Sequence, residues 1–422
     1  MNTICNFADI DIYLLNFLDL KSVINLTVIS KDLYILMYNI DFMRELHILI
    51  HKKKFLLERY NIITYAAEYN FISLIKWIYA IDSEFGNDLN AILFAIRNGD
   101  INMLKILVRD DEDMKDMVYL LPEVIKYGQL DILKWINYEY KFVIVQCNIK
   151  LIAARGYVNI LDWLVESGHE IINILDVINT ASKYGHVSVL EWVMNSACDF
   201  EYTEDAIDLA SGKGHIHILK WFDKSHYDFK YTQNAIDLAS GNGHLNILKW
   251  FHKSTYKFRY SRNAIDLASG NGHLKILKWF DVSNYRFKNT SKSIDTASSN
   301  GHIKILKWFD KSKYRFKYTS DAIDGAASKG KIQTLDWFDK SNYDFKYTTK
   351  AIDEAILNKK INVLKWFDNS NYEFVYSEDT IKEIVLYRSY TESKMMDWLE
   401  KYAIRNKDRH ILDGIKFINM IE

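Results

Sequence analysis

The sequence predicts an all-α repeat solenoid: helix-turn-helix units of 29 residues with short extended fingers, preceded by a small helical N-terminal segment. Three series carry that prediction. Trp163, Trp192, Trp221, Trp250, Trp279, Trp308, Trp337 and Trp366 follow one another at 29 residues. His186, His215, His244, His273 and His302 keep the same step, as do Ala181, Ala210, Ala239, Ala268, Ala297, Ala326 and Ala355. Self-similarity at such a period marks stacked supersecondary units, none of which can bury its apolar faces alone.

The pattern weakens upstream without stopping. Trp135 precedes Trp163 by 28 residues, Ile106 precedes Trp135 by 29, and Trp77 precedes Ile106 by 29. Downstream, Trp398 follows Trp366 by 32, which places an insertion in the last unit. These anchors predict about twelve units over residues 60–403, closed by a capping helix over 404–422.

Residues 202–231 show why each element forms. Thr203 stands before Asp205-Ala206-Ile207-Asp208-Leu209-Ala210, which has helical periodicity. Threonine is a good N-cap, and Thr232, Ser261, Thr290, Thr319, Thr348 and Ser377 repeat the choice. Asp208 lies early in the helix, where negative charge suits the dipole. Gly212 and Gly214 are expected to break this helix. A second helix follows through Ile216, Ile218, Leu219, Trp221 and Phe222, apolar on more than one stripe, as suits packing on two sides. In the connection, Tyr227, Phe229 and Tyr231 alternate with polar residues, the period of an extended segment with one face covered.

Composition narrows the function. The 422 residues carry 54 basic and 55 acidic side chains, and this balance sets nucleic acid and anionic membrane aside as general partners. A hydrophobic fraction of 49% supports a large core and excludes global disorder. Cys5, Cys147 and Cys198 are scattered in no disulfide or zinc pattern, which points to a reducing compartment. The opening MNTICNFADIDIYLL has no basic n-region, and Asp9 and Asp11 interrupt its apolar run, so no secretory signal is expected. No uncharged apolar stretch is long enough to span a bilayer. An intracellular protein without a membrane segment is the expectation.

The turn and second helix carry a resemblance. Ala181-Ser182-Lys183-Tyr184-Gly185-His186 and Ala239-Ser240-Gly241-Asn242-Gly243-His244, each followed by an I-L-K-W-F type helix, resemble the ankyrin repeat, whose helices are joined by a Gly-His turn. The family's T-P-L-H opening is replaced by Asn234-Ala235-Ile236-Asp237, and the unit is shorter than the family's, mostly in the finger. With its aromatic finger and Lys/Asn/Ile bias the array is similar to ankyrin repeat proteins of amoeba-infecting giant viruses. That likeness implies action inside a host cell, in its cytoplasm first, with nucleus and virion left open.

Residues 1–50 leave the repeat and read as short amphipathic helices. Their run L-L-N-F-L-D-L-K-S-V-I-N-L-T-V-I-S-K-D-L-Y is similar to an F-box, the segment that binds the adaptor subunit of a cullin-type ubiquitin ligase. The resemblance implies that Leu14, Leu15, Leu18, Leu26 and Ile29 supply apolar contact or core. The family's leading Leu-Pro is absent, with Asn6-Phe7 nearest in register. The other reading of this segment is a cap hiding the end of the array.

The repeated residues that could carry chemistry each have a structural reading. The tryptophans recur at one helix position and are expected in the core. The histidines stand one per unit, and no second histidine or cysteine completes a metal site. The glycines of Ser269-Gly270-Asn271-Gly272-His273 follow a helix and lack a G-K-[ST], unlike a phosphate loop. The series Asp208, Asp237, Asp266, Asp295, Asp324 and Asp353 is repeated, whereas catalysis needs groups of different pKa placed once. No enzyme, cofactor or metal is expected.

Binding is expected instead at the fingers. The variable tip positions His226, Asp228, Thr255, Lys257, Asn284, Arg286, Lys313, Arg315, Asn342 and Asp344 are the candidate partner-binding residues. A basic ladder, Lys230, Arg259, Lys288, Lys317 and Lys346, runs beside them, thickened in the middle units by Lys257, Arg262, Arg286, Lys292 and Arg315. It either pairs with Asp223, Asp281, Asp310 and Asp339 or meets a partner, an acidic protein first and a nucleic acid second. The function expected is a protein-protein interaction scaffold, either a substrate-recruiting adaptor or a plain binding array that tethers or sequesters a host protein.

Overall fold

A computed structural model of the chain describes residues 61–72, 75–76, 79, 89–108, 117, 119–140, 146–169, 171, 173–196, 200–386 and 393–413. The F-box-like Leu14, Leu15, Leu18, Leu26 and Ile29 lie outside the described residues, as do residues 387–392 of the last unit. Every regular element among the described residues is a helix, and these follow one another in a repeating helix-turn-helix order. None is long and apolar enough to cross a membrane.

The chain divides into two compact parts, Met1–Val177 and Ile178–Glu422. In the first part, first helices Asn61–Glu68, Leu89–Asn98, Leu121–Lys126 and Gln146–Arg155 pack each on the next. Second helices Ile101–Leu107, Leu130–Tyr140 and Val158–Glu166 pair with their own first helices. In the second part, first helices Glu204–Gly212, Asn234–Gly241, Asn263–Gly270, Lys292–Ser299, Asp321–Ser328 and Lys350–Leu357 pack in sequence. Second helices Ile216–Lys224, Leu245–Lys253, Leu274–Val282, Ile303–Lys311, Ile332–Asp339 and Ile361–Asp368 accompany them.

Each helix pair buries one short motif. Ala206, Ile207 and Ala210 of a first helix and Ile218, Leu219 and Phe222 of its second are closed to solvent. Phe222, Phe251, Phe280, Phe309, Phe338 and Phe367 are the largest fully buried side chains of the array. The tryptophans next to them are only half-buried from Trp221 to Trp366. That corrects the expectation of a tryptophan core. On a 3.6-residue helix the stripe through Ile218, Leu219 and Phe222 faces inward, and Trp221 falls at its edge.

The two turn glycines also part company. Gly214 has φ +79° in the turn, and a Cβ there would meet Nδ1 of His244 at 2.5 Å. Gly212 does not break the helix. It is the last helical residue, and a Cβ there would lie 2.9 Å from Cβ of Leu238 on the next first helix. Its smallness sets how closely first helices approach. In the unit of Trp366, Lys359 holds the left-handed turn position, and in the first described unit Asn70 does. After Ser393–Asn406 the chain turns at Lys407, also left-handed, and residues 409–413 are helical; the remainder of the expected cap lies outside the described residues.

Candidate functional site

The finger begins where the second helix ends. Ser225 follows Lys224 with extended backbone and ψ 165°, and its hydroxyl donates to the carbonyl of Phe222 at 2.7 Å. Ser254, Ser283, Ser312, Ser341 and Ser370 do the same in turn. The finger forms no strand, yet its burial alternates as the sequence pattern predicts: Tyr227, Phe229 and Tyr231 are half-buried, and His226, Asp228 and Lys230 are exposed.

Half-buried rings tie successive fingers together. Phe229 stacks on Tyr256 with centroids 4.2 Å apart, Phe258 on Tyr285 at 4.1 Å, Phe287 on Tyr314 at 3.8 Å and Phe316 on Tyr343 at 4.1 Å. The tryptophan of the following helix lies against the same phenylalanine, Trp250 at 5.6 Å from Phe229. Tyr231 donates its hydroxyl to the carbonyl of Lys257, Tyr260 to that of Arg286 and Tyr318 to that of Asp344. Each fingertip is therefore held by the unit before it, and tips of neighbouring units stand in register.

A buried clasp supports the finger base. Asp237 is 2% exposed and accepts from the backbone N–H of Ser261 at 2.8 Å and from its hydroxyl. Asp208 takes Thr232, Asp266 takes Thr290, Asp295 takes Thr319 and Asp324 takes Thr348 in the same way. The hydroxyl of Ser261 also accepts from the N–H of Asn263 at 3.1 Å, so these residues open the helix while joining two units. Burial first of all pushes Asp208, Asp237, Asp295 and Asp324 above the usual carboxylate range, against the pull of their hydrogen bonds.

The candidate tip residues His226, Asp228, Thr255, Lys257, Asn284, Arg286, Lys313, Arg315, Asn342 and Asp344 are all exposed. The finger framework behind them recurs from His226 to Asp344, with Asn289 in place of one tyrosine, while the outward side chain changes from unit to unit. Lys313 pairs with Asp281 at 3.2 Å, and Asp344 lies 3.8 Å from Lys346. Lys257, Arg286 and Arg315 make no ion pair with any described residue, and they occupy the same position in consecutive fingers.

The basic ladder does not pair with the aspartates expected beside it. Lys288 Nζ sits 4.1 Å over the ring of Tyr260 and donates to its carbonyl at 2.9 Å. Lys230 lies 5.3 Å over Tyr202, Arg259 5.7 Å over Tyr231 and Lys346 4.9 Å over Tyr318. Lys317 has Asn289 where the others have a tyrosine, and it faces no ring. Cation-π contact is thus the ladder's main role. The aspartates that were to pair with it accept from tyrosines instead: Tyr256 donates to Asp223 at 3.0 Å, Tyr314 to Asp281 at 3.0 Å and Tyr343 to Asp310 at 3.1 Å. Burial, then the carboxylate, pushes Tyr256 and Tyr343 up to about 12.

Sequence reasoning missed the clasp and the tyrosine ties. Both join series that share one period, and a shared period alone does not say which members meet. Among the described residues no three His, Cys, Asp or Glu side chains gather as a metal-ligand set. Against known protein families and curated proteins, the chain matches none.

Proposed function

We propose that this chain is an ankyrin-like, non-enzymatic scaffold that holds a partner protein on its fingertips. The observation that carries the reading is the split between a constant, hydrogen-bonded finger framework and outward residues that differ from unit to unit. Such a surface presents a chosen set of side chains at a fixed spacing with little ordering cost on binding. The helix-turn-helix unit with its left-handed Gly-His turn and extended finger supports the ankyrin likeness. Lys257, Arg286 and Arg315 set the partner's chemistry: an acidic protein segment, with guanidinium forks suited to paired carboxylates.

The adaptor role rests on the F-box-like run in residues 1–50, with Leu14, Leu15, Leu18, Leu26 and Ile29 as its contacts. The array would then select a target and the N-terminal segment would bring it to a host ubiquitin ligase. Plain tethering by the array is the reading that remains without that segment.

Affinity capture from host lysate separates the parts. The full chain is expected to retain a protein partner, and Arg286→Glu with Arg315→Glu is expected to weaken that capture at least about tenfold. Leu15→Asp with Leu18→Asp is expected to release the ligase adaptor while the array keeps its partner. Equal capture by the finger variant and the unchanged chain would remove the fingertips as the binding face.

A further inference from the structure

The near-zero net charge hides a segregation of charge. Between residues 245 and 320 stand sixteen basic and four acidic side chains. The four acids are Asp266, Asp281, Asp295 and Asp310. Asp266 and Asp295 are buried in the clasps, while Asp281 and Asp310 accept from Tyr314 and Tyr343.

Part of this excess lies off the fingers, on the second helices. Lys249, Lys275, Lys278, Lys304 and Lys307, and Lys220 on the helix before this stretch, are all exposed, and none makes an ion pair among the described residues; Asp223, on the helix of Lys220, accepts from Tyr256. Lys275 and Lys278 lie three residues apart on one helix, as do Lys304 and Lys307 on the next, so each pair is adjacent and self-repelling. The row is bounded: the position of Lys220 is Glu191 in the helix before and Asp336 in the helix after Ile303–Lys311. Equivalent positions on four consecutive helices therefore form one line of cations.

The side chains around this line exclude most partners. All six cations are lysine, a point charge without the bidentate fork that reads paired carboxylates. Val282 is the one large apolar side chain exposed on these four helices, so a protein interface would lack its apolar core. No phenylalanine, tyrosine or tryptophan ring is exposed there on which an unpaired base could stack. What remains is a regularly spaced polyanion met through charge alone. We propose that the second helices from Ile216 to Lys311 form a sequence-independent docking surface for the phosphate backbone of a nucleic-acid duplex, separate from the fingertip face.

The test uses the full chain and a random-sequence DNA duplex of about 25 base pairs, with affinity followed by anisotropy from about 50 to 200 mM salt. Binding in the micromolar range at low salt is expected, falling steeply as salt rises. Replacing Lys275, Lys278, Lys304 and Lys307 with Gln is expected to weaken binding at least about tenfold and to lower the salt slope by about 2–4. These changes keep the side-chain stems and relieve repulsion, so an unchanged melting curve confirms that the fold is intact. A matched control replaces Lys257, Arg286, Arg315 and Lys317 with Gln, removing as much charge from the fingers. It is expected to leave the slope close to its original value. Absence of duplex binding at low salt overturns the proposal, as does an equal loss of slope in both variants. Binding to phosphatidylserine vesicles or poly-glutamate without binding to the duplex also overturns it, in favour of a membrane or an acidic protein.

Discussion

Asp237 and Ser261 are 24 residues apart and belong to different repeats, yet the carboxylate takes both the N–H and the hydroxyl of the serine. Replacing Asp237 with Ala leaves two donors unpaired and opens a small void. We expect a loss of about 2–3 kcal/mol in urea unfolding, with faster amide exchange at Ser261 as its local sign. The array also contains a natural counter-example. Asn179 stands where the next six units have aspartate, and its carbonyl oxygen and the hydroxyl of Thr203 are both buried without a partner. Asn179→Asp should complete that clasp and stabilise by about 1 kcal/mol; a lower melting temperature would show that burying the charge outweighs the bonds. The sequence displayed the aspartates and the hydroxyl residues as two perfect series. Helix-dipole and capping preferences explained each separately, because a contact across repeats depends on stacking register, which periodicity leaves open.

Helices and turns were legible because their signals are local. The alternation of Ala, Ile and Leu placed both helices, and the Gly-His pair placed the turn. Less legible was which large residue each second helix buries, since Trp279 and Phe280 recur with equal regularity and both are apolar. A difference of one residue is a rotation of 100° on a helix, enough to carry Phe280 into the core and leave Trp279 at its edge. Phe280→Ala should therefore cost about 3–5 kcal/mol, and Trp279→Ala about 2 kcal/mol. Trp279 packs against Phe258 at 5.6 Å and Tyr285 at 5.9 Å in the finger layer, against His252 at 5.8 Å and against its neighbour Phe280 at 5.1 Å. Paired urea titrations rank the two; a costlier tryptophan variant would restore the tryptophan core that the sequence suggested. Exchange in either variant should rise first in the adjoining units, because repeat arrays couple mainly to neighbours.

Across the array, two titrating series act on stability with opposite signs. His215, His244, His273 and His302 are held below the usual imidazole range, chiefly by burial. Between those lowered values and 6.5 the folded chain binds fewer protons than the unfolded one. Their contribution is complete above 6.5 and is lost as pH falls below it. Asp208, Asp237, Asp295 and Asp324 are raised by burial, so the folded chain binds the extra protons between 3.8 and the raised values. Their cost is present at neutral pH and is relieved as pH falls toward 3.8. Acidification should thus destabilise the array first through the histidines, with the fall slackening as the carboxylates take up protons. The first part of the chain supplies a conservative replacement: Gln129 follows the turn glycine Gly128 where five later units have histidine, and its amide donates to the carbonyl of Arg97 at 3.1 Å. Changing His244, His273 and His302 to Gln should keep the turn bonds and remove the early loss. Urea midpoints measured at about pH 7.5 and about pH 5.5 decide it. The unchanged chain should lose more stability between the two than the variant; equal losses would mean that other groups govern its response to acid.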